Sequence, residues 1–237
     1  MTSTASPRAF IFDMDGTIVD NMAYHTQSWL AFFDKRGHKL DPDAFFRDTA
    51  GRQGHEIMRT YLGSHLTNEE TAALDVEKES LYRELYAPHL AVTKGFEQFI
   101  ARAKAAGVKL AVATAAPNEN IAFTLDGLDL RKQFDAIAGA ADVARGKPNP
   151  DVFLLAAERA GTLPANSIVF EDAPLGVEAA RRAGMRAVVL TTTLPADAFA
   201  EYDNVIAVAR DFSELDIEAL FASEPDFEPY IDATATN

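Results

Sequence analysis

Carboxylates, a hydroxyl and an ammonium are concentrated at four places in the 237-residue sequence. Asp13-Met14-Asp15-Gly16-Thr17 runs on into Ile18-Val19-Asp20; Ala113-Thr114-Ala115 offers a hydroxyl and backbone N–H groups; Lys147 lies in Gly146-Lys147-Pro148-Asn149-Pro150; Glu171-Asp172 pairs two acids. Two carboxylates two residues apart leave an ideal strand on the same face. A turn at Gly16 could point one at a metal while the other faces a substrate. Hard oxygen donors, in a chain with no cysteine and no paired histidines, suit Mg²⁺ rather than Zn²⁺. A metal, Lys147 and the Thr114 hydroxyl converging on one spot form an electropositive hole of the kind a transferring phosphoryl group needs. Each stretch alone has a plainer reading. Asp-x-Asp-Gly is commonly a turn or part of a calcium loop, although that loop places its Gly later and adds a distal Glu. Lys147 alone reads as a solvated loop charge, and Glu171-Asp172 as a cap of the next helix. Their joint occurrence at strand ends favours catalysis.

The elements that position them follow from the apolar pattern. Ala9–Phe12, Leu110–Ala113, Ile168–Phe170 and Ala187–Leu190 are short apolar runs of the kind that form parallel strands buried on both faces. Helical stretches separate them. Asn149-Pro150 predicts a helix start and Gly161 its end, with Phe153, Leu154 and Ala157 on one face. The alternation predicts an α/β fold with a doubly wound, mostly parallel sheet, in which ligands bind beyond the carboxyl ends of the strands. Residues 21–92 break the rhythm. Met22, Trp29, Phe32 and Phe33 form one helical stripe, Ile57, Met58, Tyr61 and Leu62 a second, and Leu74, Leu81 and Leu85 a third; Thr67 and Glu70 have capping-box spacing. An all-helical domain at 21–92, inserted into an α/β domain of 1–20 and 93–237, is the expected organisation, with 223–237 a loose tail.

A hydrophobic fraction of 48% with 24% charged residues excludes disorder, and a net charge of −14 argues against binding nucleic acid or an anionic membrane. From Ala196 onward there are eleven acids and one base, Arg210, so the C-terminal fifth holds most of the acidity. The absence of cysteine excludes disulfides and thiolate catalysis. No apolar run approaches ~18 residues and the N-terminus lacks a secretory pattern. A cytoplasmic, monomeric protein is the expectation.

The residues quoted above make the chain resemble the haloacid dehalogenase-like hydrolase superfamily, in the branch with a small helical cap that contains β-phosphoglucomutase and sugar-phosphate phosphatases. Phe12-Asp13-Met14-Asp15-Gly16-Thr17 with Asp20, then Thr114, Lys147 and Glu171-Asp172 match its four motifs, over about Arg8 to Phe221. The resemblance implies a Rossmann-like core with a helical cap, and a Mg²⁺-dependent phosphatase acting on a sugar or polyol phosphate through an aspartyl-phosphate. It implies Asp13 as nucleophile and Asp15 as general acid and base. Asp13, the Asp15 carbonyl, Asp172 and Glu171 would hold the metal, the last directly or through water. Thr114, Ala115 and Lys147 would bind the phosphoryl group. Halide leaves without a proton, so the retained Asp15 and Glu171-Asp172 argue against a dehalogenase.

Substrate selection is expected from the cap. His25 matches a histidine of this branch, or is a solvent-facing polar residue. Arg52 lies in a Gly-containing loop, but the branch's mutases carry their cap arginine where Gly54 stands here. Lys78 aligns with a substrate-facing lysine, or is a solvated ion-paired one. Asn118 touches substrate or caps the following helix. A β-phosphoglucomutase is the alternative enzyme, and a catalytically silent binding relative the alternative of another class. Asp13, Asp15, Asp20, Glu171 and Asp172 are read as one strand-end cluster that repels an anionic substrate unless a divalent cation is bound.

Overall fold

The computed structural model describes residues 7–49 and 54–223. The chain divides into two compact units, Met1–Asp20 with Ala91–Asn237, and Asn21–Leu90.

The first unit is built on β1 (Ala9–Phe12), β2 (Lys109–Ala113), β3 (Ala136–Ala138), β4 (Ser167–Glu171), β5 (Arg186–Leu190) and β6 (Val205–Ala209). They form one parallel sheet in the order β3-β2-β1-β4-β5-β6. This is the Rossmann-like doubly wound order, whose switch point lies between β1 and β4. β1 is buried along its whole length. Its alternate side chains feed two different cores, as the two-residue period of a strand requires. Phe10 and Phe12 point to one face, where their rings meet Phe96 and Phe99 of α5 (Phe96–Ala105), Phe212, and Phe221 of α9 (Ile217–Ala222). Ala9 and Ile11 point to the other, packing with α7 (Asp151–Ala160) and α8 (Pro174–Arg182).

Six strands stand where the apolar runs predicted four. β3 is only three residues long, and β6 is an apolar run that nevertheless forms an edge strand, with Val208 46% exposed. α7 starts at Asp151, one residue later than Asn149-Pro150 implies, because the Asn149 amide donates to the Gly146 carbonyl at 2.9 Å and closes the preceding turn. Gly161 ends α7 in the left-handed region, φ 71°. Leu154 is exposed; the buried face is Val152, Phe153, Ala156, Ala157 and Ala160.

The second unit contains α1 (Met22–Asp34), α2 (Pro42–Thr49), α3 (Gly54–Leu62) and α4 (Asn68–Tyr86). Trp29, Phe32, Phe33, Phe45, Ile57 and Met58 form its core. The Thr67–Glu70 capping box is present at the start of α4. The buried residues of α4 are Thr71, Lys78, Tyr82 and Tyr86 rather than the leucine stripe, since its inner face bonds to polar groups of the α1 segment. The Asn21 amide donates to the Tyr82 hydroxyl at 2.5 Å, and Lys78 Nζ lies 3.0 Å from His25 Nδ1.

Candidate active site

Asp13 follows β1 directly, and its amide donates to the Phe170 carbonyl at 2.9 Å, extending the pairing of β1 with β4 by one residue. Its carboxylate is therefore fixed at the switch point. Glu171 ends β4, and Asp172 follows it. Asp13, Glu171 and Asp172 are buried, and their oxygens lie within 4.8 Å of one another. Lys147 reaches into this group from the loop before α7. Its Nζ donates to Asp13 Oδ1 at 2.5 Å, to Glu171 Oε1 at 2.6 Å and to the Ala113 carbonyl at 3.4 Å, and it sits 4.8 Å from the Phe153 ring centre. One ammonium thus joins the ends of β1, β2 and β4.

The Asp13 loop turns back at once. Gly16 has φ 79°, its amide donates to the Val19 carbonyl at 2.8 Å, and the amides of Thr17 and Val19 donate to the Met14 carbonyl. A Cβ on Gly16 would stand 2.0 Å from Asp172 Oδ2, so this position needs glycine for both conformation and space. Gly176, in the first turn of α8, is constrained by space alone: a Cβ there would lie 1.8 Å from Glu171 Oε1. Glu171 Oε2 accepts from the amides of Asp172 and Ala173 at 3.0 and 3.1 Å. Asp15 is part-buried beside the cluster. Asp20 is exposed and stands outside the set of mutually close carboxylates, because the chain leaves the sheet after the Asp15–Val19 bridge. That corrects its inclusion in the strand-end cluster.

Thr114 is buried, with its hydroxyl accepting from the Ala116 amide at 3.0 Å. Ala115 lies exposed in the turn that follows, and Asn118 is the exposed first residue of α6 (Asn118–Gly127). The N-cap of α6 is Pro117, without a side-chain bond, so Asn118 does not cap. In the helical unit His25 stacks on Tyr82, with ring centres 3.8 Å apart. Lys78 is buried, pairs with Glu79 at 2.7 Å and lies over the Trp29 ring, so it is ion-paired without being solvated. Arg52 lies outside the described residues.

Three threonines, Thr93, Thr192 and Thr193, bond to the core site, although the sequence pattern does not single them out. Thr93 donates through its hydroxyl to the Thr17 carbonyl and through its amide to the Ile18 carbonyl, each at 2.8 Å. After β5, Thr192 donates to the Gly16 carbonyl and Thr193 to Asp172 Oδ2. The run Thr191-Thr192-Thr193 lies at the end of an apolar strand, which is the signal that drew attention to Thr114 and Glu171.

The electrostatics of the site are dominated by burial of its charged groups. Burial, opposed by Lys147 and reinforced by the neighbouring carboxylates, raises Asp13 well above the usual carboxylate range. Burial and then Glu171 push Asp172 up to about 7, against the Thr193 hydrogen bond and Lys147. Burial opposes the charge on Lys147, but Asp13 and Glu171 outweigh it and hold its pKa above that of an ordinary lysine. Three buried carboxylates against one ammonium leave an excess of negative charge. The donors are all hard oxygens, which fits a divalent cation.

The haloacid dehalogenase-like hydrolase family profile matches residues 10–190. The chain is 32% identical over 209 residues to a validoxylamine A 7'-phosphate phosphatase of Streptomyces hygroscopicus subsp. limoneus, covering 86% of this chain and 94% of that one. It is 34% identical over 184 residues to a fructose-1-phosphate phosphatase of Escherichia coli, covering 75% and 93%. Its structure is similar to that of a β-phosphoglucomutase from Clostridium difficile, with a TM-score of 0.77 at 26% identity over 91% of this chain and 96% of that one.

Proposed function

Because the chain belongs to the haloacid dehalogenase-like hydrolase family, we propose that it is a cytoplasmic, Mg²⁺-dependent phosphatase that hydrolyses a sugar or polyol phosphate through a phosphoryl group carried on Asp13. The observation that supports this most is Lys147 bridging Asp13 and Glu171 beside Asp172 in one buried cluster. Asp13, Asp172, the Asp15 carbonyl and Glu171 are the proposed cation ligands. When bound, the cation offsets repulsion between an anionic phosphate and an anionic nucleophile.

An oxygen of Asp13 attacks phosphorus, and the bond from phosphorus to the ester oxygen breaks. Asp15, protonated, gives its proton to the departing alkoxide; such assistance is typically worth ~10²–10⁴-fold. Asp15, now a carboxylate, takes a proton from water as the water oxygen attacks phosphorus. The bond from phosphorus to Asp13 then breaks and free phosphate leaves. Lys147 and the Thr114 hydroxyl, with the Ala115 amide, hold the phosphoryl oxygens, and Lys147 opposes the burial that disfavours the Asp13 charge. His25, Lys78, Asn118 and Arg52 are the proposed substrate-selecting residues.

The mutase reading uses the same nucleophile but passes the phosphoryl group to a second sugar hydroxyl. A panel of sugar and polyol phosphates with Mg²⁺ separates the two readings when free phosphate and, for glucose 1-phosphate, glucose 6-phosphate are followed. Phosphate release supports the phosphatase, and isomer without release supports the mutase. Inactivity on every ester would favour a silent binding relative. Asp13→Asn should abolish turnover, and retained activity contradicts the mechanism.

A further inference from the structure

Two adjacent threonines after β5 reach opposite halves of the same site. Thr192 donates to the carbonyl of Gly16, on the loop after β1, and Thr193 donates to Oδ2 of Asp172, after β4. Gly16 lets them meet, because a Cβ there would stand 2.0 Å from Asp172 Oδ2 and 2.9 Å from Thr193 Oγ1. Asp172 is 3% exposed, and Thr193 is only half-buried on its loop.

A carboxylate left to rotate loses affinity for a cation because one orientation must be selected on binding. A hydroxyl donated to one oxygen selects that orientation beforehand. We infer that Thr193 is a positioning residue that fixes the Asp172 carboxylate for a divalent cation, and that Thr192 ties its loop to the Gly16 turn so that the distance is kept. Thr193 acts through Asp172, so its effect should appear in cation affinity before any substrate is present.

This inference rests on the proposed cation site, and its test separates the two. Mg²⁺ is titrated calorimetrically into the metal-free full chain without substrate, for the wild type, Thr193→Ala, Thr193→Val and Thr193→Ser. Each melting temperature is measured in chelator. The expected result is a dissociation constant weakened by about tenfold or more in the Ala and Val variants, with Ser restoring most of the affinity and metal-free melting temperatures close to wild type. Wild-type affinity in Thr193→Ala overturns the inference. So does equal weakening in the Ser variant, which would mark the methyl group as the cause. A Thr193→Ala chain that is unfolded in chelator also overturns it, because the hydroxyl would then hold the fold rather than the ligand. If the wild type itself binds no Mg²⁺, the proposed metal-dependent function fails with it. If the wild type binds and Thr193→Ala binds equally, only the positioning role fails.

Discussion

Asp172 shows how burial can make a single carboxylate ill-suited to carry its charge unaided. Burial, then Glu171, push its pKa to about 7, whereas an unfolded Asp titrates near ~3.9. From about pH 4 to 7 the folded state therefore holds a proton that the unfolded state has lost, so this group's contribution to metal-free stability falls as pH rises through that window. Cation binding displaces the proton and is correspondingly favoured at high pH. The rise in melting temperature produced by Mg²⁺ should thus be larger near about pH 8 than near about pH 5.5. Equal rises at both values would mean that no buried carboxylate surrenders a proton to the metal. Lys147 faces the opposite constraint. Its charge is held by Asp13 and Glu171, so it stays an ammonium throughout this range.

At the scale of elements, the site depends on close approach between β4 and the first turn of α8. Gly176→Ala would place a methyl carbon 1.8 Å from Glu171 Oε1. That carboxylate is also held by Lys147 and by the amides of Asp172 and Ala173, so it has little freedom to move aside. The substitution should cost about 1–3 kcal/mol of stability and reduce activity more than a surface change of similar cost. A variant with wild-type melting temperature and turnover would show that Glu171 tolerates displacement. The strands that carry the site were legible in the sequence for a physical reason. β1, β2, β4 and β5 are buried on both faces, so they appear as unbroken apolar runs. β3 is too short to give such a signal. β6 does contain the apolar run Val205–Ala209, but as an edge strand it is half-exposed and lies beyond the last chemical motif. The α4 leucines misled for a different reason. Leu74 and Leu81 pack at the margin of the aromatic core, while the buried positions on that helix are Thr71, Lys78, Tyr82 and Tyr86, of which Tyr82 and Lys78 meet the polar groups of Asn21 and His25. Thr193 stood at a strand end like Thr114 and so carried a usable signal, whereas Thr93 follows no apolar strand and bonds a carbonyl 76 positions away in sequence.

Across the whole molecule the acidity has two origins. Most of the net charge of −14 comes from the segment after Pro195, remote in sequence from the four chemical motifs. The chemically important negative charge is the small buried group of Asp13, Glu171 and Asp172, gathered by the parallel sheet at its switch point. No helix among the described residues is long and apolar enough to cross a membrane. The central claim is that this buried group carries a phosphoryl group on Asp13 between two steps, and Asp15 offers a way to stop the reaction between them. An activated ester such as p-nitrophenyl phosphate needs no proton on its leaving group, so Asp15→Asn should still form the adduct while losing the base that activates water. The most direct measurement is acid quench of Asp15→Asn with Mg²⁺ and this ester, followed by mass spectrometric peptide mapping. A burst of nitrophenol with a phosphoryl group on Asp13 is the predicted result. Continued phosphate release with no adduct, or an adduct on any other residue, would contradict it.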